Sequence, residues 1–441
     1  MSASSRVVVV GASLAGLRAA EALREGGHHG PLIIIGAEAH RPYDRPPLSK
    51  QVLSGWVKPH ETTLPRARDI GASWRLGLAA SGVDLAAREV EIAGGARTPF
   101  DRLVIATGTR ARAWPLAAQA ALAGVHMLRT REDAEALVDA LERRPARVLV
   151  IGAGFTGCEV ASACRDRGLA VTVLEVNRVP LMGALGTLVG EHAARLQRAA
   201  GVDLRCGVRV EALLDDGAGR AVGARLQGGE RIEASVIVVC LGAVRNVDWL
   251  CGSGLAAGPA GVLCDDGCRV LDGEGRPADG VFACGDVACV PHPLAQGQAV
   301  SLEHWGTALD QARIVAANLL HPGSASNADS LPRFWSMQFG TNFKAAGLPA
   351  QAQQVMVLQG SAADGRFVAG YGRDGRLVGV VAVNQAQWMT YYEHQVSEGA
   401  PFPPKHRVVD PPSGAAPQAA GFPTSVASAG LARARDAAVL S

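Results

Sequence analysis

Residues 148–160 read VLVIGAGFTGCEV. An aliphatic run leads into Gly152, Gly154 and Gly157, spaced G-x-G-x-x-G. An uninterrupted apolar run suits a strand covered on both faces, as in a parallel sheet. Gly152 permits the sharp turn out of the strand, Gly154 lets a pyrophosphate approach the backbone, and Gly157 lets the next helix pack closely. That helix is expected over about 155–167, with Gly168 as its stop. Its N-terminus offers unpaired N–H groups to phosphate. Glu175 closes the next strand, VTVLE, roughly 20 residues after the first glycine, the offset of an acid that binds a ribose 2′-hydroxyl. A carboxylate there repels a 2′-phosphate, so NADH is favoured over NADPH; Arg178 nearby works weakly against that preference.

The same strand–turn–helix–strand unit occurs earlier, as VVVVGASLAGLRA from Val7 to Ala19 followed by LIII at 32–35. Gly11 and Gly16 are kept, but Ser13 replaces the middle glycine, and Glu38 follows the second strand. The helix is expected over about 14–24, with Gly26 as its stop. Taken alone, the alternative to a dinucleotide site here is a tight strand–helix turn with no ligand. A serine nucleophile is excluded, because GASLAG lacks the G-x-S-x-G spacing. VIVV (236–239), DRLVIATG (101–108) and GVFACGDVA (280–288) add further strands ending in small residues. Two dinucleotide sites in one chain imply a held flavin and an exchanging nicotinamide that meet to pass a hydride.

The chain has 441 residues, of which 53 are glycine, and 48% are hydrophobic, which suits an α/β protein of two or three domains. The net charge of +2 gives no global case for nucleic acid or membrane. No uncharged apolar run reaches the roughly 18 residues that span a bilayer. With no leader-like N-terminal segment, the expected location is cytoplasmic. The nine cysteines are an odd number, which argues against a disulfide framework. Cys264 and Cys268 lack neighbouring ligands for zinc. The character changes near Leu331, where FVAGYGRDGRLVGVVAVN (367–384) reads as two strands joined at Arg373-Asp374-Gly375. The expected division is 1–113 and 243–328 for the flavin domain, 114–242 for the NADH domain, 329–405 for a small α+β domain, and 406–441 for a disordered tail. Residues 431–440 have the composition of a short helix.

With GASLAGLRAAEALR, RPYDRPPLSK (41–50), LVIATG, LRT (128–130), IGAGFTGCEVA, LGA (241–243), CGDVA (284–288) and EHW (303–305), the chain over about 5–400 resembles the FAD-containing, NADH-dependent ferredoxin reductases of bacterial oxygenase and cytochrome P450 systems. Rubredoxin reductases and apoptosis-inducing factor are relatives of that family. The resemblance implies two Rossmann-like domains in a glutathione-reductase-like arrangement plus a small α+β C-terminal domain. It implies that Gly11, Ser13, Ala15 and Gly16 face the FAD pyrophosphate and that Glu38 holds the adenosine ribose. Val83 would meet the adenine side through its backbone, Arg45 and Lys50 the flavin end, and Arg129 would also contact FAD. Asp286, at an expected helix start, would bind the ribityl or phosphate part. Gly152, Gly154, Gly157 and Glu175 would hold NADH, and Glu303, His304 and Trp305 would lie beside the two rings. The chain departs from the pattern at Ala37, at Met337, where members often carry Asp, and over VNQAQWM (383–389). The last two bear on acceptor docking.

RPYDRPPLSK contains no cysteine, although disulfide reductases place a thiol pair in this region. Hydride brings two electrons to the flavin, and an iron–sulfur cluster accepts one at a time, so no thiol pair is needed. Lys50 is expected to place positive charge near the flavin and to pair with Glu159; an unrelated surface Lys and a helix-start Glu are the plain alternative. Trp305 is read as a ring-stacking residue or a core Trp, and His304 equally as structural. Cys284 and Cys289 copy a redox spacing, C-x-x-x-x-C, in a stretch that Asp286 claims. The expected partner is a small acidic [2Fe–2S] ferredoxin that feeds an oxygenase or P450, with Arg41, Arg45 and Lys50 as a basic docking face. The alternatives are a rubredoxin reductase, an NADH oxidase or diaphorase, and an NADH-responsive signalling flavoprotein.

Overall fold

The four apolar runs become strands at Val7–Val10, Leu32–Gly36, Val148–Ile151 and Val236–Val239, almost wholly buried. They anchor two parallel sheets in a computed structural model that describes residues 5–65, 69–322 and 326–404. The expected disordered tail, with its short helix, lies outside the described residues. In the first sheet the order is Arg269–Leu271, Pro277–Ala283, Arg102–Ile105, Val7–Val10, Leu32–Gly36, Ser73–Leu76. Only the Arg269–Leu271 pairing is antiparallel. In the second the order is Asp203–Cys206, Val171–Glu175, Val148–Ile151, Val236–Val239, Val125–His126, all parallel. Helices Leu14–Glu25 and Phe155–Asp166 follow the two glycine turns, close to their expected bounds.

Each sheet reverses its strand order beside the strand that carries the glycine turn, the place where open α/β sheets bind ligands. The geometry there explains the first glycine of each unit. A Cβ on Gly11, whose φ is +123°, would lie 2.0 Å from the Ala106 carbonyl oxygen, and one on Gly152, at φ +103°, 2.3 Å from that of Cys240. Two short strands, Thr109–Ala111 and Ala243–Arg245, pair antiparallel where the chain passes between the sheets.

The C-terminal part is a five-stranded antiparallel sheet in the order Arg333–Gln338, Thr341–Gly347, Arg376–Val383, Arg366–Arg373, Gln354–Ser361. The expected hairpin is present, and Asp374 and Gly375 both adopt positive φ, as a two-residue primed turn demands. Helix Met389–Ser397 covers one face through Met389, Tyr392 and Val396. The other face, with Phe343, Phe367 and Tyr371, shares a core with Val52, Leu53 and the NADH-side residues Val160 and Ala193. The Tyr371 hydroxyl donates to the Leu185 carbonyl at 2.7 Å.

One local expectation is corrected. Asp286 does not start a helix: CGDVA leaves strand Pro277–Ala283 through a turn and enters strand Ala288–Pro291. Gly285 takes φ +77° and donates its N–H to Gln311 Oε1 at 2.8 Å, while Ala288 and Cys289 are drawn into pairing with Val262 and Leu263. Among the described residues no helix is long and apolar enough to cross a membrane.

Candidate functional site

A cleft of about 300 Å³ opens where the first glycine turn, the 43–50 segment, the second unit's helix and the C-terminal sheet meet. Ser13, Ala15, Arg45, Lys50, Arg129, Glu159, Asp286, Glu303, His304 and Trp305 all line it. These residues are far apart in sequence, and the two switch points bring them together. Gly11 and Gly16 lie beneath it: a Cβ on Gly16 would sit 1.9 Å from the Gly11 carbonyl oxygen, so this glycine lets helix and turn pack.

The charged residues are paired. Lys50 Nζ lies 2.8 Å from Glu159 Oε2, the pairing expected from sequence, with both side chains largely buried. Glu159 also accepts from Ser49 Oγ and from Ser336 Oγ, each at 2.5 Å. Arg129 Nη2 donates to Asp286 Oδ2 at 2.8 Å. Glu303 pairs with Arg245 at 2.7 Å, so it is held at the cleft edge. Trp305 opens helix Trp305–Leu320 and donates its indole N–H to Asp44 Oδ1 at 3.1 Å. Burial raises the Asp44 carboxyl above its usual range, against the Trp305 bond and the Lys50 charge, which lower it. His304 packs on Phe334, ring centres 4.9 Å apart, and burial pushes it down to about 4, so it is neutral at pH 7. Its Nδ1 is buried without a protein partner, although the residue lines the cleft.

Glu38 is not among the residues lining the cleft. Its Oε1 accepts from Arg45 at 2.5 Å and its Oε2 from the Tyr43 hydroxyl. Tyr43 is clasped between the guanidinium groups of Arg45 and Arg131. A carboxylate oxygen has a second lone pair, so a ribose hydroxyl can share Glu38. Val83 sits in strand Ala80–Asp84, half-buried against the flavin-side core and apart from the cleft. Gly152, Gly154, Gly157 and Glu175 form the second turn. A Cβ on Gly154 would meet nothing within 4 Å, which leaves open space at a helix N-terminus with no side-chain cap. Glu175 is buried, with Oε2 accepting the Ala153 N–H at 2.6 Å and Oε1 the Asn177 N–H at 2.8 Å. Thr156 and Glu159 carry that helix to the cleft.

Sequence reasoning missed Tyr43, Asp44, Ser49, Phe334, Trp335 and Ser336. The 43–50 residues stood inside RPYDRPPLSK, and the other three inside FWSMQF, a stretch that drew attention only for Met337. Met337 points outward, 56% exposed. The thiols fare differently from a redox pair: Cys284 and Cys289 are free and buried, and burial pushes Cys284 up to about 12, far from the thiolate that exchange requires.

The uncapped helix end behind Ser13 and Ala15 and the cleft they line fit FAD, and the uncapped helix end with open space at Gly154 fits NADH. Fold and site define a two-dinucleotide oxidoreductase whose cleft holds a Lys–Glu pair in place of a redox thiol pair. The comparisons agree. The model of the pyridine nucleotide-disulphide oxidoreductase family matches residues 5–312, and that of the reductase C-terminal family residues 333–413. The chain is 35% identical, over 92% of its length and 97% of the relative's, to the anthranilate 1,2-dioxygenase system ferredoxin–NAD(+) reductase component of Burkholderia cepacia. It is 35% identical to rhodocoxin reductase of Rhodococcus erythropolis, over 86% of each chain. Among solved structures, the ferredoxin reductase for the CYP199A2 system of Rhodopseudomonas palustris superposes with a TM-score of 0.83 at 29% identity, covering 90% of this chain and 96% of that one. The putidaredoxin reductase–putidaredoxin complex gives 0.83 at 28% identity, covering 90% and 94%. The chain belongs to the pyridine nucleotide-disulphide oxidoreductase family. Within it, the chain is a ferredoxin reductase that binds FAD and NAD(H).

Proposed function

We propose that this chain is the reductase of a multicomponent system, drawing electrons from NADH and handing them to a small [2Fe–2S] ferredoxin that supplies an oxygenase or a cytochrome P450. The observation that carries it is the Lys50–Glu159 pair at 2.8 Å, in the segment where disulfide reductases carry cysteines. When bound, FAD accepts a hydride from NADH and gives up its electrons singly, as a one-electron cluster requires.

The chain's own residues do the rest. Ser13, Ala15 and the N-terminus of helix Leu14–Glu25 hold the FAD pyrophosphate, and Glu38, steadied by Tyr43 and Arg45, the ribose. Val83 supplies backbone contact on the adenine side. Arg129 and Asp286 position the ribityl and phosphate part through their own ion pair. Lys50 presents a fixed positive charge to the flavin and favours its electron-rich form, and Glu159 fixes where that ammonium points. Trp305, tied to Asp44, and neutral His304 wall the ring site against water without moving a proton. Gly154 leaves room for the NADH pyrophosphate, and Glu175 orders the turn and receives the ribose. Domain boundaries at 113/114, 242/243 and 328/329 go with this reading, the first two beside the paired crossing strands. So does a cytoplasmic location, where NADH is replenished.

The test is anaerobic. NADH should bleach the bound flavin, and addition of an oxidised small [2Fe–2S] ferredoxin should restore flavin absorbance as the ferredoxin bleaches. A flavin that stays reduced with every ferredoxin offered contradicts the acceptor assignment.

A further inference from the structure

The helix Phe155–Asp166 and the strand Arg333–Gln338 belong to different domains, yet they meet along matched stripes. Phe155, Glu159 and Ser162 recur at helical spacing on one face of the helix. Phe334 and Ser336 recur at strand spacing on one face of the strand, with Phe339 just beyond its end. Phe155 packs edge-on to Phe334 with ring centres 5.2 Å apart. Ser336 Oγ donates to Glu159 Oε1 at 2.5 Å. The Phe339 N–H donates to Ser162 Oγ at 2.8 Å. Gln338 Nε2 donates to Ser336 Oγ at 3.0 Å, which leaves the serine proton for the carboxylate. Ser336 and Gln338 are each 1% exposed.

The two carboxylate oxygens are thus divided. Oε2 serves the flavin-domain segment, through Ser49 and Lys50, and Oε1 serves the C-terminal sheet. A carboxylate held at one oxygen alone swings about its terminal torsion, which is broad and soft. Held at both, it fixes the direction in which it draws the Lys50 ammonium. We propose that Ser336, with Gln338 behind it, is a positioning residue for the Lys50–Glu159 pair, so that the C-terminal domain takes part in flavin reduction. This rests on the reading of that pair given above. The strand's other side carries Trp335 and Met337, 48% and 56% exposed, so the buried polar pair Ser336 and Gln338 lies on the side that meets the helix.

The test is a double-mutant cycle on the FAD-loaded, full-length protein, read two ways: the limiting rate of anaerobic flavin reduction by NADH, and the midpoint potential of the bound flavin. Ser336→Ala should slow the limiting rate roughly tenfold, the scale of a misplaced catalytic group, with the NADH half-saturation little changed. It should also lower the potential, because the Lys50 charge that favours the electron-rich flavin is no longer held in place. Ser336→Thr, which keeps the hydroxyl, should recover both. Gln338→Leu should move both in the same sense by less. In the Glu159→Gln background Ser336→Ala should add nothing to either readout, since the group it positions is no longer a carboxylate. Additive effects, or an Ala variant that matches the wild type while Lys50→Ala is slow, overturn the proposal alone. If Lys50→Ala and Glu159→Gln both match the wild type, the reading of the pair falls and the proposal with it.

Discussion

Glu159 shows how much of this site turns on single atoms. Its position at the start of a helix and its pairing with Lys50 were legible in the sequence, because a basic residue stands where the family name leads one to expect thiols. Its partners Ser49 and Ser336 were not, since a serine has no periodicity or charge to announce it. Lys50→Ala leaves a buried carboxylate without its counter-ion and removes the positive charge from the flavin site. The expected result is a protein that retains FAD but is reduced by NADH some 10² times more slowly, the scale for losing one stabilising donor. Rapid-mixing measurement of flavin absorbance checks it, and an unchanged rate would show that the pair is only structural. Glu38 is a subtler case. Its place after the second strand pointed to ribose binding, but Tyr43 and Arg45 already engage both of its oxygens.

At the scale of elements, strands buried on both faces were the easiest to read, because every residue in them is apolar. Strand Arg333–Gln338 was the hardest. It lies at the sheet edge, and its pattern is inverted, with Trp335 and Met337 outward and Ser336 and Gln338 inward. Alternation alone assigns such a strand the wrong inner face, since the buried polar pair is explained only by Glu159 on another domain. Asp286 was misplaced for a related reason: small residues after a strand resemble a helix-opening turn, but here the chain is recruited into another strand. The two NADH-side glycines separate fold from function. Gly152→Ala forces a methyl onto the Cys240 carbonyl at positive φ, and should destabilise the protein by about 3 kcal/mol or more. Gly154→Ala meets open space at an ordinary φ, so thermal unfolding should shift little. Its methyl nevertheless occupies the approach to the helix N-terminus, and the NADH half-saturation should rise tenfold or more, about 1.4 kcal/mol. Equal effects of the two substitutions on stability would contradict this division.

For the whole molecule, burial sets a direction for pH dependence. His28, His126, His192 and His292 are all lowered by burial, and His304 is lowered to about 4. Each takes up a proton more readily when unfolded, at its ordinary value of about 6.5, so the unfolded state binds more protons and stability falls as pH falls. The full contribution is present above about 6.5, and the His304 share is lost between there and about 4, roughly 3–3.5 kcal/mol when complete. Asp44, raised by burial, acts in the opposite sense and only in the carboxylate range. Urea midpoints should therefore decline from about pH 7 to about pH 5, and His304→Gln should flatten part of that decline; a midpoint that rises on acidification would contradict it. The central claim is about where the electrons go. Cytochrome c reduction by the purified protein and NADH, with and without a small [2Fe–2S] ferredoxin, tests it most directly. Strong dependence on the ferredoxin is the predicted result, and equally fast reduction without it, or none with it, would contradict the account.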